Sequence, residues 1–134
     1  MAIKASMTTS EDIHDTALPV KKQLEAYNAR DIDAFMKWWA ADCKYYEFPA
    51  RLLADGAAEI RARHIARFQE PNLCGRLLHR SVVADMVLDH EIVTRTFPEG
   101  PGEIDVIAIY QVKDAKIHQA WFKLGTPRLH AGPA

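Results

Sequence analysis

The main change in the spacing of apolar residues along this chain limits the folds it can adopt. Up to residue 69, apart from two short strands, apolar side chains recur at helical spacing, as in Val20, Leu24 and Tyr27. From Leu77 onward they alternate with polar residues, which is typical of strands with one buried face. Helices followed by consecutive strands predict an α+β domain, in which a curved, mainly antiparallel sheet wraps three helices.

Capping and turn residues place the individual elements. Asp31 is suited to cap a second short helix whose apolar face includes Phe35 and Trp39. Asp55-Gly56 then interrupts the pattern before a third helix, predicted over 57–69, whose arginines are assigned mainly to its solvated faces. We predict strands over 44–48, 51–54, 77–85, 87–97, 103–112 and 116–124, with the last four forming a meander.

The balance of charge excludes several classes of partner. The chain carries 17 Lys and Arg against 18 Asp and Glu, so it lacks the basic surface that binds nucleic acid or an anionic membrane. No stretch approaches the ~20 apolar residues of a membrane span. The first residues do not read as a signal peptide, and Cys43 and Cys74 lack paired spacing. We therefore expect a cytoplasmic protein with reduced thiols.

Length and composition indicate a single globular unit. A chain of 134 residues is long enough for one domain with a sizeable core. We expect that domain over 17–125, between flexible segments at 1–16 and 126–134.

One carboxylate stands in an aromatic, apolar stretch. Alternation along the first strand puts Tyr45 and Glu47 on one face and Lys44 and Tyr46 on the other. Because lysine favours solvent, Glu47 is predicted to face the interior. Burial without a partner raises the pKa of a carboxyl group, and a raised pKa is what a general base working near neutral pH needs.

Three histidines are candidate partners for this carboxylate. In 87–97 the alternate set that contains His90 is more apolar than the set that contains Asp89 and Glu91, so His90 is predicted to point inward. The same reasoning turns His79 inward, and His64 lies on the inner stripe of the third helix. A carboxylate with a histidine could abstract a proton beside a carbonyl, close a ring or dehydrate a substrate. Which histidine meets Glu47 stays open.

The order of short motifs is similar to that of a known family. These are the runs at 26–35, Trp39-Ala40-Ala41-Asp42, Glu47-Phe48-Pro49, 56–60, and Lys116-Ile117 to Trp121-Phe122. Together they resemble the SnoaL-like branch of the nuclear transport factor two-like superfamily. The resemblance implies a cone-shaped α+β barrel around one deep pocket, in a homodimer. A dimer is also predicted from the outer face of the sheet, where Leu78, Val82 and Ala84 are apolar between charged neighbours. The superfamily holds ketosteroid isomerases, polyketide cyclases, dehydratases, epoxide hydrolases and members that only bind, so the fold alone does not decide the function.

The comparison with ketosteroid isomerases can be made residue by residue. Counting from Asp42 puts Glu47 at the place of the isomerase base, whereas counting back from Pro49 puts Phe48 there, and the strand face favours Glu47. The two positions that the isomerases use as an oxyanion hole hold Gln23 and Ala108. The resemblance therefore does not predict a true steroid isomerase.

The sequence thus predicts a mostly apolar pocket for a small hydrophobic molecule. Glu47, His64 and His90 are the candidate catalytic residues, and no metal or other cofactor is expected. The predicted lining residues are Tyr27, Trp39, Tyr45, Phe68, His79, Ala108, Tyr110 and Phe122. Two functions stay open: isomerase, cyclase or dehydratase chemistry with Glu47 as the base, or a non-catalytic binding or dimerisation domain of the same fold.

Overall fold

A computed structural model describes residues 15–130 of the chain. Within them, a 3-10 turn, Asp15–Ala17, precedes helices α1 Leu18–Ala29, α2 Ile32–Met36 and α3 Ala57–Arg67. The strands are β1 Trp39–Glu47, β2 Arg51–Asp55, β3 Cys74–Val83, β4 Met86–Phe97, β5 Gly100–Lys113, β6 Lys116–Leu124 and β7 Arg128–Leu129. The predicted flexible segment 1–16 lies outside the described residues except for its last two, as do the final four residues of the predicted tail.

The helix boundaries follow local signals, with one exception. α1 ends where Arg30 adopts a left-handed backbone conformation with φ of 57°. The Asp31 side chain caps α2 by accepting a hydrogen bond of 3.1 Å from the backbone N–H of Ala34. The predicted helical role of Trp39 is wrong, because α2 stops at Met36 and Trp39 opens β1.

The α+β architecture is confirmed: three helices pack on a curved, mostly antiparallel sheet. The strand order is β2-β1-β6-β5-β4-β3, in which β1 and β6 are parallel and the other neighbours antiparallel. β3 to β6 form the predicted meander. None of the helices in 15–130 is long and apolar enough to cross a membrane.

The short strand β7 lies in the stretch that the sequence predicts to be a flexible tail. It pairs with Gly102 and Glu103 of β5. A Cβ atom at position 102 would lie only 2.5 Å from the carbonyl oxygen of Arg128, so the absence of a side chain there allows β7 to approach. Sequence patterns did not reveal this pairing because two residues are too few to show a period.

β4 presents the face opposite to the one predicted. Its buried residues are Val87, Asp89, Glu91 and Val93. His90 is on the outer face, where its Nε2 lies 2.7 Å from the Asp105 carboxylate. Both alternate sets of β4 mix apolar and polar residues, so the period alone could not choose between them.

A bulge in β3 reverses the predicted faces of that strand. Leu77 pairs with Glu91 and His79 with His90, which leaves Leu78 as an extra residue. From that point His79 faces outward and Arg80 inward. Arg80 then donates two hydrogen bonds, of 2.7 and 2.8 Å, to the carboxylate of Asp89, which is fully buried.

Removing Arg80 should destabilise the fold strongly. In Arg80→Met the buried charge of Asp89 loses its partner, and we expect the free energy of unfolding to fall by about 3 to 5 kcal/mol in urea titrations. The control is Lys44→Met, which removes an equally short but exposed ion pair with Asp55 and should cost less than about 1 kcal/mol. Equal effects of the two changes would contradict the prediction.

Candidate active-site cavity

A cavity of about 390 Å³ opens between the helices and the inner face of the sheet. This volume lies in the range of small-molecule sites. The aromatic and apolar lining residues are Leu24, Tyr27, Phe35, Trp39, Tyr45, Leu53, Val93, Ile104, Val106, Tyr110, Phe122 and Leu124. The polar ones are Gln23, Glu47, Arg51, Arg63, His64, Arg67, Glu91 and Arg95.

His64 is enclosed by aromatic rings. Its imidazole lies 4.5 Å from the ring of Phe35 and 5.6 Å from that of Tyr45, measured between centroids. Burial lowers the pKa of His64 to about 4, so the ring is neutral at pH 7. Nδ1 lies 2.8 Å from the carbonyl oxygen of Ile60 and must therefore be the protonated nitrogen. Nε2 is left as a hydrogen-bond acceptor, and His64 cannot serve as an acid near neutral pH.

Glu91 is the carboxyl group with the chemistry that the sequence assigned to Glu47. Its side chain lines the cavity and its residue is only 6% exposed. Burial raises the pKa of Glu91 to about 7, the neighbouring charge of Asp89 adds to the rise, and Arg80 opposes it. A carboxyl group that is half ionised at neutral pH can both accept and return a proton.

Glu47 does point to the cavity side of β1, but it lies at the rim. Its side chain is 45% exposed and one oxygen is 3.3 Å from Nη1 of Arg51. Phe48, the alternative register, is exposed in the turn after the strand. Glu47 is therefore a solvated member of an ion pair and lacks the burial from which its role as a base was inferred.

Two tyrosines and a tryptophan bring hydrogen-bond donors to the wall. Trp39 is 3% exposed, and its indole N–H is buried with no partner among the described residues. Burial raises the pKa of Tyr110 well above its usual value, as does the nearby charge of Glu91. Gln23 donates a hydrogen bond of 3.4 Å to the Tyr110 oxygen, which leaves the hydroxyl hydrogen for a second partner. Burial likewise raises the pKa of Tyr27, to about 12.

The structure brings together part of the predicted site. Of the predicted residues, Tyr27, Trp39, Tyr45, Glu47, His64, Tyr110 and Phe122 line the cavity. Phe68 is buried one layer away against Tyr27, and Ala108 is buried in β5 without reaching the cavity. His79 is exposed and contacts Ser81. The inward placements of His79 and His90 are wrong because the bulge at Leu78 and the face of β4 turn both side chains out.

Sequence reasoning missed Glu91 and the arginines. Two acids at alternate positions of one strand, flanked by Val87 and Val93, would have been a usable signal for a buried polar face. Arg63 and Arg67 were assigned to the solvated side of α3, yet both line the cavity. Among residues 15–130, no group of three or more His, Cys, Asp or Glu side chains could hold a metal ion.

The fold agrees with the comparisons to known proteins. Residues 20–120 match the SnoaL-like domain, and the chain belongs to this family. No curated protein matches the sequence. Similar structures include an uncharacterised cystatin-fold protein from Novosphingobium aromaticivorans (24% identity, TM-score 0.73, covering 80% of this chain and 96% of that one). An LEH-like epoxide hydrolase from M. tuberculosis has 12% identity and a TM-score of 0.74, covering 85% of each chain.

A third similar structure is a proposed polyketide cyclase from Sinorhizobium meliloti, with 22% identity and a TM-score of 0.64, covering 78% of this chain and 92% of that one. Identities this low show a shared fold and leave the reaction open.

The raised pKa of Glu91 should appear in the stability of the protein. Because the folded pKa of about 7 exceeds the usual 4.5, the folded state binds the proton more tightly, and stability is lost as the pH rises from 4.5 through 7. The Glu91→Gln variant does not lose stability in this way, because its amide does not titrate. We expect the stability of the variant relative to the wild type to rise by roughly 2 to 3 kcal/mol between about pH 5 and about pH 8 in urea titrations. A constant difference would contradict the shifted pKa.

Proposed function

We propose that this SnoaL-like protein is an acid–base enzyme that acts on a small, largely apolar carbonyl compound, with Glu91 as the residue that transfers the proton. One observation carries the proposal: a buried carboxyl group whose pKa is raised to about 7 lines an aromatic cavity. This group takes the place of Glu47 in the chemistry expected from the sequence, namely isomerisation, ring closure or dehydration.

In the proposed mechanism the ionised Glu91 removes a proton from a carbon next to the carbonyl. The protonated carboxyl group then returns the proton to another carbon, or to an oxygen that leaves as water. Both halves are accessible because a pKa near the working pH keeps base and acid forms populated. The aromatic and apolar walls bury Glu91, and this burial keeps its pKa near neutral.

The negative charge that develops on the carbonyl oxygen needs hydrogen-bond donors. The unpartnered indole N–H of Trp39 supports such a role, since it stands in a wall shared with Tyr110, whose ring centroid is 6.3 Å from that of Trp39. The raised pKa of Tyr110 keeps its hydroxyl protonated and able to donate. These donors differ from the pair that the isomerases use, because Ala108 supplies none.

The alternative is a binding protein with the same cavity and no turnover. A half-ionised Glu91 would then only hydrogen-bond the ligand. The two functions predict different results for a variant that keeps the shape of the cavity but cannot transfer a proton at position 91.

Glu91→Gln separates the two. It preserves shape and hydrogen bonding but cannot transfer a proton, so we expect turnover of a responsive carbonyl substrate to fall by at least about a hundredfold. The wild-type kcat/KM should rise with pH through an apparent pKa near 7 if deprotonated Glu91 is the base. The measurement is a product assay over a panel of ring ketones and polyketide-like esters.

The matched control for this experiment is Glu47→Gln, which removes the rim carboxylate. It should change turnover by less than about tenfold, because its ion pair with Arg51 is exposed. Equal losses in the two variants, or full activity in Glu91→Gln, would sink the assignment of Glu91. Ligand-induced stabilisation of both variants without turnover of any compound would favour the binding protein.

We also propose that the protein is a homodimer. On the outer face of the sheet, paired positions of four strands bring Leu88, Ile109, Trp121 and Tyr46 into one apolar row, which Leu52 extends. Leu88 and Leu52 are 37% and 46% exposed. A row of this length is costly to leave in water, and a second copy related by twofold symmetry would cover it with the same row.

This row differs from the outer face predicted from the sequence. Val82 pairs with the buried Val87 and so lies on the cavity face at the sheet edge, Ala84 is in the turn after β3 with φ of 53°, and Leu78 forms the bulge.

Disrupting the row should release monomers. Ile109→Glu places a charge in its centre, and light scattering should then report about half of the wild-type mass, with the wild type at about twice the 15.1 kDa of one chain. The control is Ile65→Glu, which changes an exposed isoleucine on α3, away from the sheet. A monomeric wild type at micromolar concentration would refute the dimer.

A further inference from the structure

The cavity carries more positive than negative charge. Four arginines line it. Three of them form ion pairs, and these three share only two carboxylates. Arg51 pairs with Glu47 at 3.3 Å. Arg67 and Arg95 share Glu70, with shortest distances of 3.4 and 2.7 Å. Two guanidinium groups therefore divide one carboxylate.

Arg63 is the fourth arginine, and it forms no ion pair with any residue in 15–130. Its guanidinium carbon lies 5.3 Å above the ring of Tyr45, a cation–π contact that holds the side chain along the cavity wall. Its Nε–H is buried and has no hydrogen-bond partner among the described residues. A buried donor without an acceptor is unfavourable, and a ligand oxygen would remove that cost.

The guanidinium of Arg63, which also hydrogen-bonds the Tyr45 side chain, has the geometry that carboxylates prefer. A guanidinium presents Nε–H and a neighbouring Nη–H as a planar fork, which two oxygens of one carboxylate can occupy together. The buried acids do not compete for it: Asp89 is engaged by Arg80 at 2.7 Å, and Glu91 makes no ion pair within the described part of the chain. Excess positive charge, and a guanidinium with no ion pair in 15–130 and an unpartnered Nε–H, favour an anionic oxygen pair.

We propose that the cavity selects an anionic substrate: an apolar ring compound that carries a carboxylate, with the carboxylate bound by Arg63 and the ring against the aromatic wall. This inference deepens the proposed function and rests on it for the identity of the site. The aromatic rings of Tyr45 and Phe122, 4.5 Å apart, supply the flat apolar surface beside the guanidinium.

The test compares two probes of equal shape, naphthoate and the neutral naphthamide, by isothermal titration calorimetry. The wild type should bind naphthoate about tenfold or more tightly than naphthamide. Arg63→Gln should bring the two affinities to within about twofold of each other by weakening naphthoate alone. Arg63→Lys keeps the charge and loses the fork, so it should retain only part of the preference.

Arg61→Gln is the matched control, because Arg61 is on the same helix and pairs with Asp33 on the exposed side. It should keep the full preference. Equal affinity of the wild type for both probes, a preference that survives Arg63→Gln, or no binding of naphthoate, benzoate or cyclohexane carboxylate at millimolar concentration would each overturn the inference.

The same titration in Glu91→Gln separates this inference from the catalytic proposal. A carboxylate preference in that variant supports the anion site even where no turnover is found. The opposite result is Glu91-dependent turnover of neutral compounds only, with neutral compounds and their acids bound equally tightly. It would overturn the anion site and leave the proposed catalytic role of Glu91 in place.

Discussion

Two acids on the inner face of β4 are enclosed with one guanidinium, that of Arg80 on β3, and this imbalance of charge shapes the rest of the site. Arg80 binds Asp89 through two short hydrogen bonds and so leaves Glu91 without a cation of its own. A buried carboxylate that lacks a partner keeps its proton to a higher pH, which raises the pKa of Glu91 to about 7. The structural ion pair and the raised pKa of Glu91 are thus two outcomes of one arrangement, because a second cation beside Glu91 would lower that pKa.

Glu91 lines a cavity whose walls are largely aromatic. Trp39, Tyr45 and Tyr110 come from strands and His64 from α3, and together they form a wall that excludes water and carries donors at a few points. His64 contributes as a neutral acceptor, since burial lowers its pKa to about 4. Two of the four lining arginines, Arg63 and Arg67, come from α3, and Arg63 forms no ion pair within residues 15–130. A ligand that satisfies both regions needs a carbonyl near Glu91 and an anionic group near Arg63, which links the proposed reaction to the proposed substrate class.

Much of the fold could be predicted from the sequence because its signals are local. Asp31 caps a helix through its own side chain, and the meander follows from alternating residues and turns. The SnoaL-like order of motifs likewise led to the family. The site was predicted less well. The aromatic lining at Tyr27, Trp39, Tyr45, Tyr110 and Phe122 was expected from size and polarity. The buried carboxylate was predicted to be Glu47, whereas the structure buries Glu91.

The amino-acid sequence by itself determined the class of fold, the aromatic character of the interior and the facing of Tyr45 and Glu47 along β1. Only the tertiary structure decided which face of β4 is buried, because both of its alternate sets mix apolar and polar residues and a strand period of two does not say which set meets the helices. It also decided that His79 faces outward and Arg80 inward, because one extra residue at Leu78 exchanges the two faces of β3 from that point. A bulge depends on pairing with a neighbouring strand, and that pairing exists only in the folded sheet.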